Sequence, residues 1–366
     1  MQNDQPILQG SSEWLQAKQK TIGGSEIYTL VYHYFRKELE ALGINTLIDF
    51  PFRTIQELFL KVKFDAKLSQ INSVHSEFGN GMEGYVACRL EQELYPIRVE
   101  RSKDFIVNEN FHSLAACSPD GYIRFYDPEL NPINQYRKLP DFDKTCEIDH
   151  TWGKGMLELK TANYFANFDK GGAKAQYLFQ LQYNILVAGC KWGVLAVLAP
   201  KDKEYDNDFF KGKIIGQLES WQACYDNTNI DSFAQYYDLI YYIYPILPAF
   251  QALITKALNC FQADLDNPDA YPRNEEDLAG LQREKKMLGE LWPDKYGTLE
   301  VGEGDEIDNL LNERNEAKSA AMFAETEYRK VENELAYRTK KYTEVLGTKQ
   351  RLIWTSNGQL RFYKRK

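Results

Sequence analysis

The sequence predicts a mixed fold of the α/β (α+β) class: a central mixed sheet flanked by helices, then a helical C-terminal extension and a terminal β-hairpin. Three observations carry this expectation. Between residues 111 and 200, short apolar runs of strand character alternate with a helical pattern. Through 305–346 a single heptad-like seam persists. Near the C-terminus two β-rich runs flank Ser356-Asn357-Gly358, a hairpin turn signal.

Residues 11–110 read as mostly helical, with an amphipathic helix over 76–94. Residues 111–125 read as a strand, a Pro-Asp-Gly turn and a second strand. The segment 126–154 is rich in Pro, Asn and Asp and contains Asp127-Pro128 and Leu139-Pro140, which marks a surface insertion. A short buried strand is expected over 155–161, a helix over 173–188 and another buried strand over 192–198. Residues 201–300 read as helical, broken by Pro245, Pro248, Pro268, Pro272 and Pro293.

In the segment 305–346, Leu310, Ala317, Ala321, Ala324, Tyr328, Val331, Leu335, Tyr342 and Val345 recur at spacings of four and three, with Arg314 and Arg338 as exceptions. Gly347 is placed to end that helix. The seam suits either docking on its own domain or a coiled coil with another chain. The tail 348–366 carries six Lys or Arg and no Asp or Glu, mixed with Trp354, Phe362 and Tyr363. That mixture suits a phosphate backbone with base stacking, and equally a solvated basic tail. The expected domains are therefore 1–200 with the 126–154 insertion, a helical extension 201–304, a long helix 305–347 and a basic hairpin 348–366.

The chain has 366 residues, 43% hydrophobic and 27% charged, enough for a substantial core. No run of about 18 apolar residues occurs, so no membrane helix is expected. The start Met1–Pro6 lacks the basic and apolar regions of a secretory signal. Six cysteines form no C-x-x-C pair, which disfavours a thiolate metal cluster and fits reduced cytoplasmic thiols. The net charge of −9 argues against indiscriminate attraction to nucleic acid, while leaving room for a local basic groove beside an acidic centre.

The chemistry-bearing residues lie between 83 and 180. Asp120 follows an apolar approach and sits in Ser118-Pro119-Asp120-Gly121; Glu158 and Lys160 share one face of Met156-Leu157-Glu158-Leu159-Lys160. Hard carboxylate oxygens suit a divalent cation, and an ammonium beside them can polarise a water or a phosphate. Bland readings remain at each position. Pro-Asp-Gly is a common turn, Glu158 and Lys160 suit a buried ion pair, and Glu83 suits a carboxylate near a helix start.

These residues resemble a known family, the lambda-exonuclease-like (YqaJ, viral alkaline exonuclease) branch of the PD-(D/E)xK nucleases, over roughly residues 13–198. Glu13-Trp14-Leu15-Gln16-Ala17-Lys18 followed by Thr21-Ile22-Gly23-Gly24-Ser25-Glu26 is similar to the N-terminal motif of that family. Gly79 with Glu83 resembles its helical ligand motif, Ala116–Gly121 and Leu157–Lys160 its two catalytic strands, and Gln180-Leu181-Gln182-Tyr183 its Gln-x-Gln-Tyr helix. The resemblance implies a restriction-endonuclease-like core in residues 1–200. It implies that Glu83, Asp120, Glu158 and the Leu159 carbonyl bind one or two Mg²⁺ or Mn²⁺ ions, with Lys160 and Gln180 orienting the attacking water. It assigns Lys18, Ser25 and Ser118 to a terminal 5′-phosphate.

Lys18 stands where relatives carry Arg, which removes a planar bidentate fork. Asp120 and Glu158 also lie farther apart than is usual, which the insertion accounts for. The implied activity is digestion of one strand of linear duplex DNA, 5′→3′, leaving 3′ single strands for a single-strand-annealing recombinase, by a ring-shaped homotrimer. An endonuclease of the same fold and a non-catalytic DNA-binding relative are the rival readings.

Overall fold

A computed structural model describes residues 7–8, 11–46, 49–68, 74–94, 97–125, 152–161, 174–201, 237–272, 278–292, 306–339, 344–346, 350–354 and 360–364. In chain order these form β1 (Ile7–Leu8), α1 (Ser12–Lys20), α2 (Gly24–Tyr34), α3 (Arg36–Ala41), α4 (Ile55–Phe64) and α5 (Val74–Glu93). There follow β2 (Ile97–Arg101), β3 (Asp104–Val107), β4 (Ala116–Cys117), β5 (Gly121–Phe125), β6 (Gly155–Thr161), α6 (Ala175–Ala188), β7 (Trp192–Pro200) and β8 (Tyr237–Pro245). The chain continues with α7 (Pro248–Asp266), α8 (Leu278–Leu291), α9 (Glu306–Thr339), β9 (Glu344–Leu346), β10 (Gln350–Trp354) and β11 (Leu360–Lys364). Contacts divide the chain into two compact units, Met1–Pro293 and Asp294–Lys366.

The first unit is built on a mixed five-stranded sheet of order β2-β5-β6-β7-β8. Its strands pair antiparallel except β6 with β7. Parallel neighbours need a crossover, and α6 supplies a helix between them. Alternation along β7 explains why both sheet faces are covered. Leu195 and Val197 join the apolar cluster formed with α2, α6 and α7, whereas Val194, Ala196 and Leu198 join the cluster under α5.

Local signals fix the helices around this sheet. Thr54 and Glu57 exchange side-chain and backbone hydrogen bonds at 3.2 and 2.9 Å, a capping box that starts α4. Gly189, at φ 67°, closes α6 in a left-handed conformation that glycine adopts without Cβ strain. Pro248 occupies the start of α7, where no backbone donor is needed.

The expected strands over 155–161 and 192–198 and the helix over 173–188 are present as β6, β7 and α6. Three expectations need correction. Residues 97–107 lie in the stretch read as mostly helical and form β2 and β3; the alternating Ile97, Val99 and polar neighbours suit an edge strand. Tyr237–Pro245, read as part of a helical extension, is the β8 strand, paired with β7 over its full length. Its aromatic and β-branched run, Tyr-Asp-Leu-Ile-Tyr-Tyr-Ile-Tyr, fits a mostly buried pleated surface. The sheet and core of the first unit therefore extend beyond residue 200, through β8 and α7.

The long helix is shorter than expected. α9 ends at Thr339, and Val345, assigned to the heptad seam, sits in β9 opposite Leu352 of β10. The predicted C-terminal hairpin is present as β10 and β11, in register from Gln350–Lys364 to Trp354–Leu360, and β9 adds a third strand. The insertion at 126–154 lies almost wholly outside the described residues.

Gly155 opens β6 where the Trp192 indole lies against its backbone. A Cβ there would stand 2.5–2.7 Å from three indole atoms, and Trp192 is fully buried with its Nε1 donating to the Gly153 carbonyl at 3.1 Å. Gly155→Ala should therefore destabilise the protein by about 1–3 kcal/mol through overpacking. Urea unfolding would measure this; an unchanged midpoint would show that the indole can yield.

Candidate functional site

The site forms where β6 passes the turn before β5. Asp120 ends that turn, and its Oδ2 accepts the backbone N–H of Leu159 at 2.7 Å. This bond fixes the turn against β6, leaving Glu158 and Lys160 to point to the opposite face from Leu157 and Leu159, which pack under α5. Glu158 is 1% exposed, and Lys160 reaches the rim with its side chain 22% exposed.

Glu158 accepts three hydrogen bonds. Its Oε1 receives Lys160 Nζ and Gln180 Nε2, each at 2.5 Å, and its Oε2 receives Asn184 Nδ2 at 2.9 Å. Gln180 and Asn184 stand one turn apart on α6, so one helix face supplies both amides. α6 approaches α2 closely at this point. A Cβ on Gly24 would collide with the Asn184 side-chain oxygen and meet Gln180 at 3.1 Å, which explains the second glycine of Gly23-Gly24.

Glu83 comes from the middle of α5, not from its first turns, because the helix begins at Val74. The expectation of a carboxylate favoured by a helix start is thereby corrected. Its carboxylate forms an ion pair with Arg101 of β2. Leu159 is buried, and its N–H is the group engaged by Asp120.

The electrostatics show that the carboxylates share one field. Burial raises the pKa of Glu83, and the Asp120 charge raises it further, against Arg101 and Lys160. Burial likewise raises Asp120, opposed by Lys160, the Leu159 N–H and Arg101. Burial pushes Glu158 up to about 7; Lys160 opposes the shift and Asp120 adds to it. At Lys160 burial disfavours the ammonium, but the charges of Glu158 and Asp120 outweigh it and hold the pKa above its ordinary value.

A stability consequence follows for the protein without added metal. The Glu158 carboxyl is raised from 4.5 to about 7 on folding. Its contribution is fully present below about pH 4.5 and is lost as pH rises through about 7. In EDTA, the melting temperature should fall from pH 5 to pH 8, with a smaller fall in Glu158→Gln; equal slopes would refute this.

The donor chemistry fits a hard divalent cation, since the Asp120 charge disfavours ionisation of both Glu83 and Glu158, and two cations, Arg101 and Lys160, stand beside three partly or fully buried carboxylates. As placed, they are neighbours without being a closed cage. Among the described residues, no three His, Cys, Asp or Glu side chains are gathered closely enough to hold an ion.

Two of the expected phosphate-binding residues adjoin the centre in sequence, Ser25 next to the Gly24 that meets Gln180 and Asn184, and Ser118 two residues before Asp120. Lys18 is exposed on α1 with its Nζ 4.5 Å from the Trp14 ring centroid, Ser25 is exposed in the first turn of α2, and Ser118 is half-buried after β4. The chain before Ser25 is joined to the strand leading to Ser118: Ile22 donates to the Leu114 carbonyl at 2.8 Å and accepts from Ala116 at 3.3 Å. The Tyr183 hydroxyl ties the same place, donating to the Ile22 carbonyl at 2.6 Å. Among the described residues, no hydrogen bond or ion pair joins Lys18, Ser25 and Ser118 to one another.

Sequence reasoning missed Asn184, Arg101 and Tyr177. Asn184 was findable, because it lies four residues after Gln180 on an expected helix. Arg101 had no local signal, since its partner Glu83 is on another element. Tyr177, whose ring centroid is 5.5 Å from Lys160 Nζ, looked like any helical aromatic.

No helix among the described residues is long and apolar enough to cross a membrane. No curated protein sequence matches the chain. Among solved structures, the alkaline exonuclease LHK-Exo from Laribacter hongkongensis aligns at 14% identity over 70% of this chain and 93% of its own, with a TM-score of 0.40. A phage-related exonuclease from Haemophilus somnus 129PT aligns at 12% identity over 67% of this chain and 93% of its own, with a TM-score of 0.38. Residues 13–191 match the YqaJ-like viral recombinase domain family, a span that holds Lys18, Glu83, Asp120, Glu158, Lys160 and Gln180. That span is similar to a YqaJ-like viral recombinase domain, as the order of its motifs led one to expect.

Proposed function

We propose that this protein is a metal-dependent deoxyribonuclease that digests one strand of linear duplex DNA from its end, in the 5′→3′ direction. The observation that carries the reading is the buried Glu158 held against Lys160 on β6, with Asp120 bonded to the intervening Leu159 N–H. The family match over 13–191 supports a role in DNA recombination.

Glu83, Asp120, Glu158 and the Leu159 carbonyl would hold one or two Mg²⁺ or Mn²⁺ ions. Such ions lower the pKa of bound water and stabilise the leaving oxygen of a phosphodiester. Lys160 presents a permanently charged ammonium at the rim, where it can hold a phosphate oxygen or orient the attacking water. Gln180 and Asn184 fix the Glu158 carboxylate so that it need not reorganise during the reaction. Lys18, Ser25 and Ser118 would receive the terminal 5′-phosphate. Lys18 does so as a point charge, which predicts a looser requirement for that phosphate than a bidentate Arg would impose. The 3′ strand left behind would pass to a single-strand-annealing recombinase, and a homotrimer would enclose the duplex.

The test uses the purified full chain, end-labelled linear duplex with and without 5′-phosphate, and covalently closed circles. Acid-soluble nucleotides should appear from the linear duplex with Mg²⁺ and disappear with EDTA. Cutting of the closed circle would instead identify an endonuclease. DNA binding without any cleavage would identify a non-catalytic relative. Mass in solution reports whether the assembly is a trimer.

A further inference from the structure

The loop before α4 exposes two aromatic rings beside the reaction centre. Phe50 and Phe52 are 53% and 51% exposed, on either side of Pro51, although burying such a side chain fully is worth about 1.5–3 kcal/mol. The loop is anchored on both sides. The Tyr28 hydroxyl donates to the Asp49 carbonyl at 3.0 Å, and the Thr29 hydroxyl donates to the Arg53 carbonyl at 3.4 Å. The Ala175 N–H, at the start of α6, bonds to the Asp49 carboxylate. The rings are thus presented by a fastened loop rather than by one free to fold them inward.

Their position gives this exposure a meaning. The Phe52 ring lies 6.5 Å from the Tyr177 ring, inclined at 42°, and Lys160 Nζ lies 5.5 Å from the Tyr177 centroid. Phe50 continues the aromatic surface to Tyr32 at 6.3 Å, and Arg36 sits 5.4 Å over Tyr32. Aromatic faces that lead away from an ammonium match the alternation of a single nucleic-acid strand, which carries flat bases on an anionic backbone. A peptide partner of mixed character would not need the rings aligned with Lys160.

We propose that Phe52, with Phe50 and Tyr177, stacks an unpaired nucleobase of the DNA strand whose phosphate lies at Lys160. The inference rests on the site acting on DNA, and it assigns a single-stranded or frayed end as the form engaged.

The experiment measures binding of a single-stranded oligonucleotide carrying 2-aminopurine to the full chain in EDTA, so that cleavage plays no part. Phe52→Ala should weaken binding about tenfold, within the range for losing one stacked base, and should remove the quenching of 2-aminopurine. Phe52→Trp should restore both. Phe52→Leu keeps an apolar group without a π face and should not. Unchanged affinity and quenching in Phe52→Ala would overturn the platform, as would full rescue by Phe52→Leu. A lower mass in solution with unaltered DNA binding would assign the patch to contact between copies and also overturn it. If the wild type binds and digests DNA while Phe52→Ala behaves identically, the platform alone fails; if the wild type neither binds nor digests DNA, the nuclease reading fails with it.

Discussion

Lys160→Ala is expected to lower strand cleavage by about a thousandfold, within the range for losing a positioned proton-transfer or phosphate-polarising group. The argument rests on where the ammonium is. Its Nζ lies 2.5 Å from a carboxylate whose other bonds, among the described residues, come from two neutral amides, so it is the one cationic donor of the three. Glu158→Gln should cause a comparable loss, because a neutral amide cannot supply the charge a divalent cation needs. Binding and unfolding separate chemistry from folding: in EDTA Glu158→Gln should retain affinity for duplex ends, whereas Lys160→Ala should stay folded in urea titration and bind more weakly through loss of a phosphate contact. Cleavage within tenfold of wild type in either variant would mean that β6 carries a structural ion pair and that the reaction centre lies elsewhere.

Lys61→Met is expected to cost about 3–5 kcal/mol of folding stability, the usual loss when one partner of a buried ion pair is removed. Lys61 is 2% exposed and its Nζ contacts both oxygens of Glu26, at 2.8 and 2.6 Å. Glu26 also accepts the Gly23 N–H at 2.9 Å at the start of α2, so an uncompensated charge there would strain the segment that presents Ser25. The double variant Glu26→Gln/Lys61→Met should recover part of the loss, since no buried charge would then lack a partner. Urea unfolding of the two single variants and the double variant measures the coupling; a Lys61→Met midpoint equal to wild type would refute it.

A similar buried arrangement holds α4 to α8. Arg283 donates to both oxygens of Glu57 at 2.8 and 3.0 Å, and Arg53 reaches Glu57 Oε1 at 3.1 Å. Arg53 and Glu57 are only four residues apart, but Arg283 and Glu57 are separated by 226, and no spacing rule connects those two. They illustrate why part of the molecule stayed hidden from sequence reasoning. β6, β7 and α6 were legible because burial on both faces and a sharp Gly189 stop leave strong periodic marks. β8 was not, because prolines on its C-terminal side read as helix punctuation, while its pairing with β7 is decided by tertiary contact.

The candidate centre shows the same division. Asp120, Glu158, Lys160 and Gln180 carried sequence signals, and the structure brings them together: Lys160 and Gln180 bond to Glu158, and Asp120 bonds to the Leu159 N–H between Glu158 and Lys160. Glu83 joins their electrostatic field but turns to Arg101, a partner set by the pairing of β2 with β5 rather than by any local pattern. The heptad seam forecast a long helix, while Val345 lies in a strand because pairing with β10 competes with helical continuation.

The Leu159 amide bonded to Asp120 makes threading of the sheet and catalytic competence a single variable. Sliding β6 by one residue against β7 would swing Leu159 into the polar chamber and press Glu158 among the side chains beneath α5. Under the proposed nuclease reading, a misaligned molecule would therefore be inert instead of cutting indiscriminately.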